Sequence, residues 1–320
     1  MTYAPVLITT VNRYLHFREC IESLAKCVWA EHTDVFVAVD YPPSEKYWEG
    51  YNLIKGYLST CGNLGFNSLN IVYRETNYFY TERGNIDSLR DEVFETYDRC
   101  IVSEDDNIFS PNFLVFINKG LEMYKDDATV LAINGYRHFY PIKYDHNTIF
   151  RQNVNFSAWG YGCWREKWIK YVYPISQSYF RSKLSIRSIL KIHRNGNAHT
   201  LCYINECYKD FVDRSDWTIG VMMALEGLDV VMPCISLVRN MGWDGTGLNC
   251  NSIEYKDLAM LHKDQEISAA GNFIIRGTGK EYYEYNHAVY VNNSFGQLNN
   301  FQFLKGILRF FRDRIRNTNK

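Results

Sequence analysis

Five short β-branched runs, separated by four amphipathic stretches, occupy the first 136 residues and constrain the fold more than any other feature. Pro5–Val11 (PVLITTV), Val35–Asp40 (VFVAVD), Leu69–Arg74 (LNIVYR), Cys100–Ser103 and Thr129–Asn134 read as strands. Between them, Leu15–Val28, Ser44–Leu58, Asn85–Tyr97 and Pro111–Tyr124 have helical spacing. The runs are apolar without polar alternation, so both faces must be covered. That pattern predicts an α/β fold with a mostly parallel sheet flanked by helices. In such sheets ligands bind at the carboxyl ends of the strands.

After Tyr136 the pattern changes to longer polar and aromatic stretches. Thr148–Trp159 reads as a strand leading into Trp159-Gly-Tyr-Gly-Cys-Trp164, and Arg165–Tyr171 as a short helix. Trp217–Glu226 is expected to be a helix and Asp229–Val231 a short strand closed by Pro233. Residues 251–300 show no readable period. Composition is that of a soluble globule, 46% apolar and 22% charged. The net charge of −1 gives no whole-protein field for nucleic acid. Nine scattered cysteines without a CxxC argue against a disulfide framework or zinc site and fit a reducing compartment. MTYAPVLITT lacks the pattern of a signal peptide, and no apolar run approaches a membrane span. A cytoplasmic protein is expected.

The chemistry concentrates at three strand ends: Thr9–Arg13, Asp40, and Glu104-Asp105-Asp106. Three consecutive carboxylates repel one another, the more so when partly buried, so water or a cation must offset them. A hard divalent cation accepts carboxylate oxygens and keeps positions for water and phosphate. The acids precede the next helix by too much to serve its N-terminus, where Ser110-Pro111 already offers a cap and a first-turn proline. Arg13 sits where it could neutralise a diphosphate. Asp40 has the chemistry for a uracil N3–H, or equally for a turn before Pro42-Pro43. No GxGxxG or P-loop is present. The segment Trp159–Trp164 combines aromatics able to stack on sugar with glycines, which a packed hinge would also use. Arg214-Ser-Asp216-Trp217 opens a helix, where Asp is a common N-cap. Arg239–Gly247 (RNMGWDGTG) has the composition of a loop that closes over substrate.

Taken together, the order of these motifs resembles the GT-A (Rossmann-like) nucleotide-sugar glycosyltransferases, in particular the group around N-acetylglucosaminyltransferase I and its bacterial family 2 relatives. The resemblance runs from Pro5 to about Gly247. It is carried by Thr10–Arg13 before Cys20-Ile-Glu-Ser-Leu24, by Val39-Asp40, by Ser103-Glu-Asp-Asp106 with Pro111-Asn-Phe113, by Trp159–Trp168, and by Asp216-Trp217 with Arg239–Trp243. It implies a catalytic domain over residues 1–250, with a nucleotide-sugar half (1–136) and an acceptor half (137–250), followed by an extension over 251–320. It further implies that Asp106 holds Mn²⁺ (or Mg²⁺) against the donor diphosphate, and that Glu104 and Asp105 contact ribose and donor sugar. Thr10, Arg13, Asp40 and Asn85 would complete the donor site. Asp216 would be the general base of an inverting transfer, with Trp159, Gly160, Trp217, Arg239 and Trp243 on the acceptor side. A departure occurs at Leu248-Asn249, where relatives often carry a His.

The implied reaction moves a sugar from a nucleotide donor, a UDP-sugar, to a hydroxyl of a glycan or lipid-linked acceptor, as in bacterial polysaccharide biosynthesis. Two alternatives remain open: a non-catalytic nucleotide-sugar or glycan-binding module, and a sugar nucleotidyltransferase. The C-terminus adds a separate expectation. Residues 305–320 carry +5, and 303–316 form an amphipathic pattern, with Leu304, Ile307, Leu308, Phe311 and Ile315 opposite Lys305, Arg309, Arg312 and Arg316. Such a helix suits either peripheral contact at the inner face of the cell membrane or packing on the protein's own body.

Overall fold

The fold, a computed structural model, describes residues 2–78, 81, 83–137, 149–153, 156–194, 200–247 and 304–312. Strands and helices alternate through β1 (Val6–Thr10), α1 (Tyr14–Ala25), β2 (Asp34–Val39), α2 (Trp48–Thr60), β3 (Ser68–Tyr73), α3 (Gly84–Phe94) and β4 (Arg99–Glu104). They continue with β5 (Asn107–Phe109), α4 (Phe113–Met123), β6 (Val130–Asn134), β7 (Ile149–Gln152), β8 (Tyr161–Trp164), α5 (Arg165–Tyr171), α6 (Gln177–Lys183) and α7 (Ile186–Arg194). Then come α8 (Thr200–Glu206), α9 (Asp216–Glu226), β9 (Asp229–Pro233) and β10 (Val238–Asn240). A last helix covers residues 304–312.

Eight strands form one sheet in the order β3-β2-β1-β4-β8-β6-β9-β7. Alternation along each strand decides which helices it meets. Val6 and Ile8 of β1 and Ile101 of β4 face α1, α2 and α4, packing with Phe17, Ile21, Ile54, Leu114 and Ile117. Leu7, Cys100 and Val102 face the other way, onto Leu89 and Val93 of α3, Trp168 of α5, and Met222 and Met223 of α9. Both faces are dry, as the unbroken apolar runs required. The sheet is continuous from β3 to β7, so the two halves expected about residue 136 share one hydrogen-bonded scaffold.

Three expectations are corrected. First, the parallel run stops at β4, because β8 is inserted antiparallel between β4 and β6, pairing Ile101 and Ile133 with Gly162. The second half of Trp159–Trp164 is therefore a buried central strand, too short for periodicity to reveal. Second, α4 begins at Phe113 and not at Pro111. Ser110 N–H donates to the Leu237 carbonyl at 2.9 Å, and the Pro111 carbonyl accepts from Val28 N–H at 2.8 Å, so both are tied to other elements. Third, the N-cap of α9 is Ser215, which makes Asp216 the first helical residue and frees its carboxylate for another partner. The expected strand over Thr148–Trp159 is confined to β7 among the described residues, and residues 251–303 lie outside them.

The seven cysteines whose side chains are described are free. No helix among the described residues is long and apolar enough to cross a membrane.

Candidate active site

The strand order decides the site. β2, β1 and β4 are neighbours in parallel, with Thr10 opposite Val39 and Thr9 opposite Glu104. Asp40, the turn after Thr10, and the three acids therefore leave the sheet side by side at its carboxyl edge. Asp40 N–H donates to the Thr10 carbonyl at 2.8 Å, continuing the ladder one residue beyond β2.

The cation that the acid run demanded is supplied in part by the chain itself. Arg13 bonds to Asp105 Oδ1 and lies 2.7 Å from Asp106 Oδ2. Thr10 Oγ donates to Asp105 Oδ2 at 2.7 Å. Asp105 and Asp106 are both buried, each 5% exposed. A buried ion pair of this kind is stable only when the remaining lone pairs are also bonded. The second half of the chain supplies those bonds to Asp106. β10 pairs antiparallel with β5, placing Asn240 opposite Asn107. Asn240 Nδ2 donates to Asp106 Oδ1 at 2.7 Å, and Met241 N–H donates to the Asp106 carbonyl at 2.8 Å. The loop then passes so close that a Cβ on Gly242 would overlap Asp106 Oδ2. Further on, His16 Nε2 lies 3.1 Å from Asp244 Oδ2.

Glu104 and Asp216 differ from this pair. Glu104 is exposed and Asp216 half-buried, yet enough protein lies around both carboxylates for desolvation to dominate their titration. Glu104 titrates well above the usual carboxylate range, through desolvation first and then the charges of Asp106, Asp216 and Asp105, opposed by Arg13. Asp105 is also raised by burial, despite Arg13. Asp216 is raised to about 7 by desolvation, offset only by the hydrogen bond that its Oδ2 accepts from Ala158 N–H at 3.0 Å. That bond crosses from α9 to the segment before β8 and fixes the carboxylate near Glu104. The neighbouring acids are committed elsewhere: Asp213 accepts from Ser215, and Asp244 from Thr246.

The other expected site residues divide. Asp40 Oδ1 accepts from Tyr41 N–H and Tyr78 N–H, each at 2.9 Å, so it shapes the turn at the end of β2 while sitting beside Thr10. Asn85 is buried and braces the scaffold, accepting from Arg74 at 2.9 Å and donating to the Ala38 carbonyl at 3.1 Å. Trp159 packs edge-on against Tyr136 and stands 6.3 Å from Trp243, centroid to centroid, so two expected acceptor-side aromatics meet. Gly160 takes φ +73° at the entry to β8. Trp217 follows the base candidate and is 53% exposed. Arg239 lies in β10, paired with Ile108.

Sequence reasoning missed Asn240 as the partner of Asp106 and Ala158 as the anchor of Asp216. It also missed a buried network behind them. Arg90 bonds to Asp87 and donates to Tyr161 Oη at 2.8 Å, and Arg214 donates to Asp87 at 2.9 Å. This network ties α3 to the turn that carries Asp216. Its members are separated by up to 127 residues, and no local pattern announces such a pairing.

Among the described residues, no three His, Cys, Asp or Glu side chains form a ready metal cluster. The donor chemistry nevertheless fits a hard cation that brings its own water and phosphate. All donors are carboxylate oxygens, and one guanidinium faces three consecutive acids. Arg13 bonds two of the three, Asp105 and Asp106, so the carboxylates outnumber the guanidinium charge there.

No family model matches the chain, and none of the curated proteins matches it. Solved structures similar to it include residues 1–349 of TarS from S. aureus, at 10% identity and a TM-score of 0.40, covering 92% of this chain and 72% of that one. A mannosyltransferase, PcManGT from Pyrobaculum calidifontis, in complex with GDP-Man and Mn²⁺, is similar at 13% identity and a TM-score of 0.39, covering 70% of each chain. A putative glucose-1-phosphate thymidylyltransferase from Bacillus anthracis is similar at 13% identity and a TM-score of 0.36, covering 83% of this chain and 97% of that one. The chain covers only 24% of a longer TarS structure. These likenesses are of general α/β layout.

Proposed function

We propose that this protein is a glycosyltransferase that moves a sugar from a nucleoside diphosphate donor, a UDP-sugar, to a hydroxyl of a glycan or lipid-linked acceptor. The observation that carries the reading is the placement of Asp216. Its carboxylate accepts from Ala158 N–H, is close enough for its charge to raise Glu104, and is itself pushed up to about 7 by burial. A base poised near neutral pH within reach of a strand-end acid cluster suits deprotonation of a hydroxyl nucleophile.

In this mechanism the acceptor oxygen attacks the anomeric carbon as the bond to the diphosphate breaks. The proton passes to Asp216, and the nucleoside diphosphate leaves with the bonding electrons. Attack from the side opposite the leaving group inverts the anomeric centre. Asp106 would hold Mn²⁺ or Mg²⁺, which when bound supplies charge neutralisation for the departing diphosphate. Arg13, already held between Asp105 and Asp106, adds a fixed positive charge at the same place. Glu104 is the acid open to the donor sugar. The uracil reading rests on the position of Asp40 beside Thr10, since its carboxylate already accepts from Tyr41 and Tyr78, and Trp159, Trp217 and Trp243 offer faces for stacking acceptor sugars.

A panel of nucleotide sugars, incubated with and without Mn²⁺, tests this directly. Metal-dependent turnover of a UDP-sugar is expected. Asp106→Ala should abolish metal-dependent UDP binding measured by calorimetry. UDP binding without turnover of any donor would leave a binding module and overturn the enzyme reading.

A further inference from the structure

The hydrogen bond that holds Asp216 has a support of its own. Ala158 N–H, which donates to Asp216 Oδ2 at 3.0 Å, shares a peptide unit with the Ser157 carbonyl. That carbonyl accepts from Asn134 Nδ2 at 3.2 Å. A trans peptide is planar, so its C=O and N–H point in opposite directions and cannot turn separately. Holding the carbonyl therefore sets the direction of the N–H. The bonds run in series, from the Asn134 amide through one peptide to the carboxylate, and each polarises the next.

Asn134 is the last residue of β6, in register with Tyr161 of β8, and is 2% exposed. Its neighbour Ile133 packs against Gly120 of α4, so alternation turns Asn134 to the opposite face, the one covered by α9. Only the NH₂ of the amide can donate to a carbonyl, which fixes the orientation of the side chain. Its Oδ1 is then left buried with no protein donor among the described residues. A buried amide with one polar atom unbonded is a poor choice for packing alone, because an apolar side chain would fill the space at less cost.

The rest of the segment is tied down as well. Ser157 is buried and its Oγ accepts from Trp159 N–H at 3.3 Å, while Gly135 N–H donates to the Gly160 carbonyl at 2.7 Å. On the side of the carboxylate, Arg214 donates to Asp87 at 2.9 Å and to the Tyr173 carbonyl at 3.2 Å, two residues before Asp216. Both ends of the Ala158–Asp216 bond are thus anchored, the acceptor end to α3 and the donor end to β6.

We propose that Asn134 is a positioning residue for Asp216, holding the Ser157–Ala158 peptide so that its N–H is aimed at the carboxylate. Being buried, Asn134 acts through that peptide and not by contact with substrate. Its effect on catalysis rests on the reading of Asp216 as the base. With the peptide free to rotate, the carboxylate loses the bond that sets its direction, and the acceptor hydroxyl meets a base that is no longer held in one orientation.

The test combines an amide signal with kinetics. Isotopic labelling of alanine amides reports Ala158 N–H by NMR, and Ala158→Gly identifies its resonance. An amide proton donated to a carboxylate lies downfield, and Asn134→Leu, close in size but without the donor, should move it upfield. Per folded molecule, kcat should fall on the order of tenfold with donor KM unchanged, less than the roughly 100-fold of a displacement near 1 Å. Asn134→Ala carries the same test if the leucine variant does not fold. An Asn134 that only fills space would lower Tm and leave the amide and kcat in place, and that result overturns the proposal. An amide that moves while kcat stays unchanged, in an enzyme that Asp216→Asn inactivates, overturns it too. If the wild type turns over no donor, the glycosyltransferase reading fails, and the amide signal still decides whether Asn134 aims the Ala158 N–H.

Discussion

The strands up to β4 and the later strands β6 to β9 belong to one sheet but were assembled by different rules. In the first group each strand is joined to the next by one helix, and the site residues Thr10, Arg13, Asp40 and Glu104–Asp106 sit where their strands end. In the second group β8 is reversed and slotted between β4 and β6, while β10 leaves the large sheet to pair with β5. Its site residues reach the acids through long-range bonds: Asn240 to Asp106, Ala158 to Asp216, Arg214 to Asp87. The first region makes a rigid strand-end edge. The second packs Asn240 to Gly242 against that edge and carries Asp216, the base of the proposed reaction.

This contrast predicts that damage to the closing region and damage to the scaffold have different readouts. The largest effect is expected at Gly242. Gly242→Val forces the loop away from Asp106 and Arg13, and a displacement near 1 Å at reacting groups costs on the order of 100-fold in turnover. The melting temperature should also fall, since Gly242 is buried against Asp106, so turnover is read per folded molecule. If Gly242→Val keeps full turnover, the loop is a bystander.

Gly162→Ala should lower stability alone. In β8 an added Cβ would meet Ile117 Cγ2 at 2.5 Å and Leu121 Cδ1 at 3.0 Å. Overpacking of this kind costs about 1–3 kcal/mol, or roughly 2–4 °C in Tm for each kcal/mol. Turnover per folded molecule should be unchanged. A loss of turnover without a loss of stability would mean that β8 tunes the site and does not merely support it.

A third effect is on stability against pH. The folded pKa of Asp216 is about 7, above the ordinary 3.8 that it regains on unfolding. Between those values the native state binds more protons than the unfolded state, so stability falls as pH rises from about 4 to 7 and then levels. Asp216→Asn removes this contribution. The wild type should lose more Tm than the variant across that window. An equal loss would show that Asp216 titrates normally.

The same contrast explains what could be read in advance. The alternation of VFVAVD, LNIVYR and their companions was sufficient for the α/β sheet, because each unit is local and carries its own period. The acid trio and Arg13 were legible as a site for the same reason, since parallel strand ends gather whatever follows them. That Arg13 would itself pair with two of the acids follows only from β1 and β4 being neighbours. Tyr161–Trp164 could not be read as a strand, being four residues long and containing glycine. The helices between residues 176 and 206 were not read, although α7 (IRSILKIHR) carries Ile189 and Ile192 on one buried face. The C-terminal helix was found, but its rotation was not. Gly306 and Phe310 turn it so that the predicted apolar face stays largely outside.

The central claim is that Asp216 is the base of a sugar transfer across this cleft. Its most direct test is Asp216→Asn, assayed for transfer from the donor that the wild type uses, with donor affinity and Tm measured on the same preparation. The account predicts a loss of about 10²–10⁴ in kcat with donor affinity retained and Tm not lowered, since the amide keeps the size of the carboxylate and its hydrogen bond from Ala158 but not its basicity. Near-normal transfer by a variant that melts lower would contradict it, leaving Asp216 as a tether between α9 and β8.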